Sequence, residues 1–104
     1  MDLGKFRNAV SKGQLEWRRH ILERIAEREL RQNQLVQVLL SGEQIEDYPN
    51  DKPFPSALFL GFPFGKATHV VASFDEEGDC VYIITAYEPS LDVFEADYKT
   101  RRKR

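Results

Sequence analysis

The feature that most constrains this chain is a change of period near residue 42. Before it, apolar residues recur every three to four positions. After it, they come in short β-branched and aromatic runs cut by Pro, Gly and Asp. A helical period followed by a strand period, within 104 residues, leaves room for one α+β domain with its helices laid on one face of an antiparallel sheet. A chain of this length buries roughly 60–70% of its extended surface, enough for one core and a shallow site.

Residues 1–13, punctuated by Gly4 and Gly13, read as a leader: a short docked helix or a frayed end. Residues 14–31 read as a first helix, with Leu15, Trp17, Ile21, Leu22, Ile25, Ala26 and Leu30 on one wide apolar arc. His20, Arg24, Arg28 and Arg31 form a stripe along one edge of that arc, and Glu27 stands one helical turn before Arg31 as a possible partner. Residues 33–41 read as a second helix, with Asn33 as N-cap and Gly42 as the stop. The sheet is expected over residues 43–88: a short edge strand at 43–48, then strands at 56–62, 67–74 and 80–88, giving three to four strands, before a basic tail over 89–104.

The acidic turn after Phe74 suggests a hairpin register in which Phe74 faces Cys80, Ala72 faces Tyr82, Val71 faces Ile83 and His69 faces Thr85. Strand alternation then places His69, Val71, Ile83, Thr85 and Tyr87 on one face, and Val70, Ala72, Tyr82 and Ile84 on the other.

The net charge of −2 conceals a partition. Residues 1–31 carry eight Lys/Arg against five Asp/Glu, residues 32–98 two against twelve, and residues 99–104 five against none. This is either an acidic domain with a solvated tail, or two basic ends that meet in space as a phosphate-binding patch. The single cysteine, Cys80, permits no disulfide within the chain and fits a reducing compartment; its place in a strand suggests a half-buried structural thiol. No apolar run approaches the roughly 20 residues that span a bilayer, and the first residues lack the apolar segment of a secretory signal, so a cytoplasmic location without membrane association is expected.

No Gly-rich phosphate loop, HExxH or GxSxG motif is present, and two histidines are too few for a zinc site; neither metal nor cofactor is expected. What remains is proton transfer around phosphate. Cleavage of RNA by its own 2′-OH needs a base, an acid and cations for the phosphorane charge, and His, Tyr, Arg, Lys and Glu supply these without metal. Each candidate has an ordinary structural explanation beside this one. His20 fits a surface histidine, His69 a packed strand residue, Tyr87 the rim of a core, and Arg24 and Arg28 solvated or Glu-paired side chains.

Several segments in order carry a resemblance: Trp17-x-x-His20-x-x-x-Arg24, Gly42-Glu43-x-Ile45-Glu46-x-Tyr48, Pro55-Ser56, His69-Val70-Val71, Ile84-Thr85-x-Tyr87-Glu88-Pro89, and Thr100-Arg101-Arg102. Over roughly residues 15–102 the chain resembles the domain-of-unknown-function 4258 family of small bacterial and archaeal proteins, which is similar to the RelE/ParE toxin superfamily. The resemblance implies a RelE-like fold, two helices on a curved antiparallel sheet. It also implies an mRNA endoribonuclease that is the toxin of a type II toxin–antitoxin pair, neutralised by a cognate antitoxin such as a small zinc-finger protein. By motif it assigns catalysis to His20, Arg24, His69 and Tyr87 and phosphate neutralisation to Arg101 and Arg102; the helix stripe and the basic tail add Arg28, Arg31 and Lys103 as RNA-binding candidates. Glu43 and Glu46 match the pattern without an assigned role, and Phe94 stands where relatives often carry tryptophan.

Two other functions are open. A non-catalytic interaction module would use the acidic centre and the aromatics Phe54, Phe59, Phe62 and Phe64 as a protein-binding face. The ParE branch of the superfamily implies a DNA-gyrase poison. The toxin reading makes a geometric demand: the tail, the helix stripe and the His69–Tyr87 face should converge.

Overall fold

A computed structural model describes residues 1–103; Arg104, the last residue of the basic tail, lies outside them. The elements run α1 (Leu3–Ser11), β1 (Leu15–Glu16), α2 (Arg19–Glu27), α3 (Gln32–Ser41), β2 (Glu43–Tyr48), β3 (Ser56–Gly61), β4 (Thr68–Asp75) and β5 (Cys80–Tyr87). One turn of 3-10 helix, Pro63–Gly65, links β3 to β4. The sheet order is β1-β5-β4-β3-β2, with β1 parallel to β5 and every other pairing antiparallel. The class is α+β, but with three helices and a five-stranded mixed sheet rather than two helices and three to four antiparallel strands.

The difference begins at the leader. Residues 1–13 hold α1, whose N-terminus Asp2 caps through the Lys5 amide, and Phe6, Ala9 and Val10 of α1 are buried in the main core. Phe6 stacks on Phe59 (centroids 5.1 Å apart) and meets Phe74 edge-on at 5.8 Å. Gly13 then takes a positive φ of 77°, a backbone state open to glycine at no steric cost, and reverses the chain. The next two residues do not enter the expected first helix. Leu15 and Glu16 pair with Val81 and Tyr82, because the outer edge of β5 offers unpaired backbone groups that a passing segment can satisfy. Helical periodicity alone cannot distinguish a strand this short. The helix therefore starts at Arg19, and it ends at Glu27, because Glu29 adopts a left-handed φ of 58° and lets the Leu30 amide close on Ile25 O. Arg31 lies beyond the helix, so the Glu27–Arg31 pair does not form; Arg19 and Glu23 pair instead at 3.3 Å.

α3 starts one residue earlier than expected. Arg31, not Asn33, holds the N-cap position, and the Gln34 side chain reaches back to accept from the Arg31 amide at 2.7 Å. Gly42 does end α3, but for reasons of space: a Cβ there would stand 2.5 Å from Val38 O and 2.6 Å from Leu60 O.

Helices and sheet close over Phe6, Ile21, Ile25, Leu35, Val38 and Leu39 on one side and Phe59, Val70, Ala72, Phe74, Val81 and Ile83 on the other. Each of these side chains larger than Ala72 contributes roughly 1.5–3 kcal/mol by leaving water. The β4–β5 register departs from the expected one in two places. Asp75 pairs with Cys80 and Ala72 with Ile83, a shift of one residue at the turn. Between Ala72 and Val71 a bulge leaves Ile84 unopposed, so that Val71 pairs with Thr85 and His69 with Tyr87. The two offsets together restore the expected facing of His69, Thr85 and Tyr87. Ile83, by contrast, moves to the helix-covered face and Tyr82 leaves it.

Candidate active site

The second face of the sheet is covered by chain rather than helix. After Pro89, residues 90–103 form an irregular strap that runs from the end of β5 across β4 to the β2 edge. A backbone bridge between Phe94 and Arg101 folds the strap on itself. Asp97 sets its turn: the carboxylate accepts from the amides of Lys99 and Thr100 and from the Thr100 hydroxyl. These bonds hold its pKa down to about 2.

Beneath the strap lies His69, with 0% of its surface exposed. Phe94 packs edge-on against its ring at 4.7 Å, and Tyr87 at 5.3 Å. Nε2 lies 2.6 Å from the Tyr98 carbonyl, which can only accept, so Nε2 carries the proton. In the neutral ring Nδ1 is then an acceptor, and the Tyr87 hydroxyl donates to it at 3.3 Å. Burial pushes the His69 pKa down and the Tyr87 pKa up, which favours a neutral imidazole beside a neutral phenol. Such a pair can pass a proton from Tyr87 to His69, or release the phenol proton to a leaving group.

The β2 edge supplies the charges. Arg101 donates from Nε to Glu46 at 2.8 Å and from Nη2 to the other carboxylate oxygen at 3.1 Å, and the Tyr48 hydroxyl donates to Glu46 as well. The Arg101 guanidinium holds the Glu46 carboxyl below its usual range. Lys99 pairs with Glu43 at 3.1 Å. The two glutamates of the Gly42–Tyr48 segment, which sequence reasoning left without a role, are therefore the anchors of the strap. Their signal in the sequence was the later Lys99-x-Arg101 pattern, but nothing local says that residues more than 50 positions apart meet.

The expected convergence is met by the tail and the sheet face, and only by Arg28 of the helix stripe. Arg28 rounds the free edge of β5 and donates to Ala86 O at 2.7 Å, beside Thr85. His20, Arg24 and Arg31 are exposed and make no side-chain hydrogen bond among the described residues. Their helix, or in the case of Arg31 the segment after it, belongs to the layer packed on the opposite face of the sheet. Arg102 is held by Glu95 and the Leu91 carbonyl, and Lys103 is exposed. Of the aromatics expected on a docking face, Phe59 is a core residue and Phe54 is half-buried against Tyr82; Phe62 and Phe64 are 56% and 78% exposed. Cys80 is half-buried, and burial raises its thiol pKa, as befits an inert thiol. Among the described residues no group of three or more His, Cys, Asp or Glu is placed to hold a metal ion, and no helix is long and apolar enough to cross a membrane.

The model of the family described as domain of unknown function 4258 (DUF4258) matches residues 17–88. The chain belongs to that family. The match takes in α2 to β5, and so His20, Arg24, Glu43, Glu46, His69 and Tyr87; α1 and the strap fall outside it. No curated protein and no solved structure matches the chain.

Proposed function

We propose that this protein is the toxin of a type II toxin–antitoxin pair, a metal-independent mRNA endoribonuclease that acts in the cytoplasm and is held in check by a cognate antitoxin. The observation that carries the reading is the Tyr87–His69 pair on the helix-free face, its tautomer set by the Tyr98 carbonyl and the Arg101 charge close by. The reading also draws on the resemblance to the RelE/ParE superfamily implied by the family segments of the sequence. Tyr87, the half-exposed member, meets the RNA and exchanges the proton; His69, buried behind it, positions the phenol and takes up its charge. Arg101, released from Glu46 when phosphate enters, neutralises the phosphorane, while Arg28, Arg102 and Lys103 bind the RNA backbone. His20 and Arg24 belong to the reading through the order of the family segments, and Arg31 through the basic stripe beside them in the sequence.

Tyr87→Phe keeps the packing and removes the hydroxyl. It is expected to lower cleavage of single-stranded RNA about 10²- to 10⁴-fold, and expression of the wild-type chain is expected to arrest growth until the product of a neighbouring gene relieves it. A His20→Ala, His69→Ala double variant that arrests growth as strongly as wild type sinks the assigned mechanism. Growth arrest with DNA damage and intact mRNA points to the gyrase reading instead.

One observation favours a non-catalytic interaction module: the strap cations Lys99, Arg101 and Arg102 are already paired with carboxylates, while Phe62 and Phe64 stand out together from the turn after β3. Cleavage by the purified protein that is lost in Tyr87→Phe decides against that reading.

A further inference from the structure

The helix-free face has a second end, which the strap leaves uncovered. Ser73 lies on β4 four residues beyond His69, on the same face and about 13 Å along the strand. Around it is a cavity of about 400 Å³ lined by Arg18, Pro53, Phe54, Ser73, Tyr82 and Ile84. A smaller one of about 150 Å³ continues it towards Lys52 and Ser56 and shares four of those residues.

We propose that this groove is a subsite for single-stranded RNA, taking one base against the Phe54–Tyr82 pair and a neighbouring phosphate on Arg18. Phe54 and Tyr82 are stacked at 5.6 Å with ring planes 8° apart, and both line the groove as an aromatic wall whose stack a base can extend. Every base has a π-face, so such a wall accepts bases with little regard to sequence. The Arg18 guanidinium sits 5.6 Å from the Tyr82 ring centroid. Among the described residues neither Arg18 nor Lys52 is in an ion pair, in contrast to Lys99, Arg101 and Arg102 at the covered end. These two cations are thus free to meet phosphate. Asp51 is the one carboxylate lining the groove, and it is occupied by the Ser56 hydroxyl.

Ser73 adds an independent observation. It is only 7% exposed, lines both cavities, and its hydroxyl has no hydrogen-bond partner among the described residues. Among the described residues no fully buried side-chain oxygen lacks a partner, so this hydroxyl reaches solvent from the floor of the groove and is open to a ligand's donor or acceptor. A strand seated here and running along the sheet reaches Tyr87 with its next nucleotides. The identity of the ligand rests on the ribonuclease reading; the groove and its chemistry do not.

The test uses the full chain and a labelled mixed-sequence RNA hexamer carrying 2′-O-methyl groups, so that binding is read without cleavage. Fluorescence anisotropy is expected to show Phe54→Leu weakening the complex about tenfold or more, and Arg18→Gln both weakening it and flattening its dependence on salt. Affinity unchanged in both variants overturns the proposal. Should Phe54→Leu fail to fold, wild-type protein photo-crosslinked to a 4-thiouridine RNA decides: adducts at Phe54 or Tyr82 support the groove, and their absence overturns it. Binding through the groove without cleavage of unmodified RNA removes the ribonuclease reading alone. Cleavage at the wild-type rate by both groove variants removes the groove alone.

Discussion

Helices α1–α3 close one face of the sheet with Phe6, Ile21, Ile25, Leu35 and Leu39, none of which brings a polar atom into the contact. The strap closes the other with Phe94, with Tyr98 edge-on to Phe62, and with a set of charge pairs around a buried imidazole. The first closure depends on apolar area removed from water, which neither pH nor salt changes much over the ordinary range. The second depends on groups that titrate and are screened. The comparison teaches that one layer of this small domain holds the fold, while the other can open locally at low cost.

The comparison is tested most severely in the leader. Phe6→Ala removes a fully buried ring and is expected to cost about 3–5 kcal/mol, read as a large fall in the thermal midpoint. An unchanged midpoint would show that α1 is not part of the core. Phe94→Ala, on the strap side, is expected to cost about 2–3 kcal/mol, less than a core ring because the strap can detach. Hydrogen exchange should then speed up at residues 93–102 and stay slow in α3; uniform acceleration would erase the distinction between the two faces.

Acid sharpens the contrast. The folded pKa of His69 lies below its usual 6.5 and that of Glu46 below its usual 4.5. In both cases the unfolded chain takes up the proton first. Their contributions are therefore fully present above those usual values and are lost as pH falls towards the folded ones. Stability is expected to fall from pH 6.5 downwards and more steeply below 4.5, with His69→Gln flattening the upper part. A flat profile from pH 7 to 4 contradicts the account. Arg101→Ala should cost only about 1 kcal/mol, because the pair is partly exposed, and the loss should shrink as salt is added. The smallest effect is expected at His20, where His20→Ala on an exposed helix position should move stability by less than about 0.5 kcal/mol. Any loss of growth arrest in that variant then reports on function and not on folding.

Much of this was legible in the residues. The strands at Ser56–Gly61, Thr68–Asp75 and Cys80–Tyr87 follow from β-branched runs bounded by turns, and α3 from its apolar spacing. The shared face of His69 and Tyr87 was also expected, although through a register wrong by one at the turn and rescued by the Ile84 bulge. A bulge has no signature in an alternating run, because it trades one ladder bond for twist that only the packed sheet rewards. The groove at Phe54 and Tyr82 is not legible in the sequence, because Phe54 comes from a proline-rich loop and simple strand alternation places Tyr82 on the opposite face.

By itself, the sequence determined the α+β class, the division between a helical first part and a stranded second part, and the two basic ends, since these depend on local period and composition. Only the tertiary structure decided what the basic tail does. Arg101 and Lys99 meet Glu46 and Glu43 across a fold that separates them by more than 50 residues in the chain. Tail and sheet face come together over His69, whereas His20 and Arg24 stay on the helical layer. Charge marks a segment as able to pair, but only chain closure chooses its partner. Here closure is decided by the apolar packing of α1–α3, which takes one face of the sheet and leaves the other for the strap.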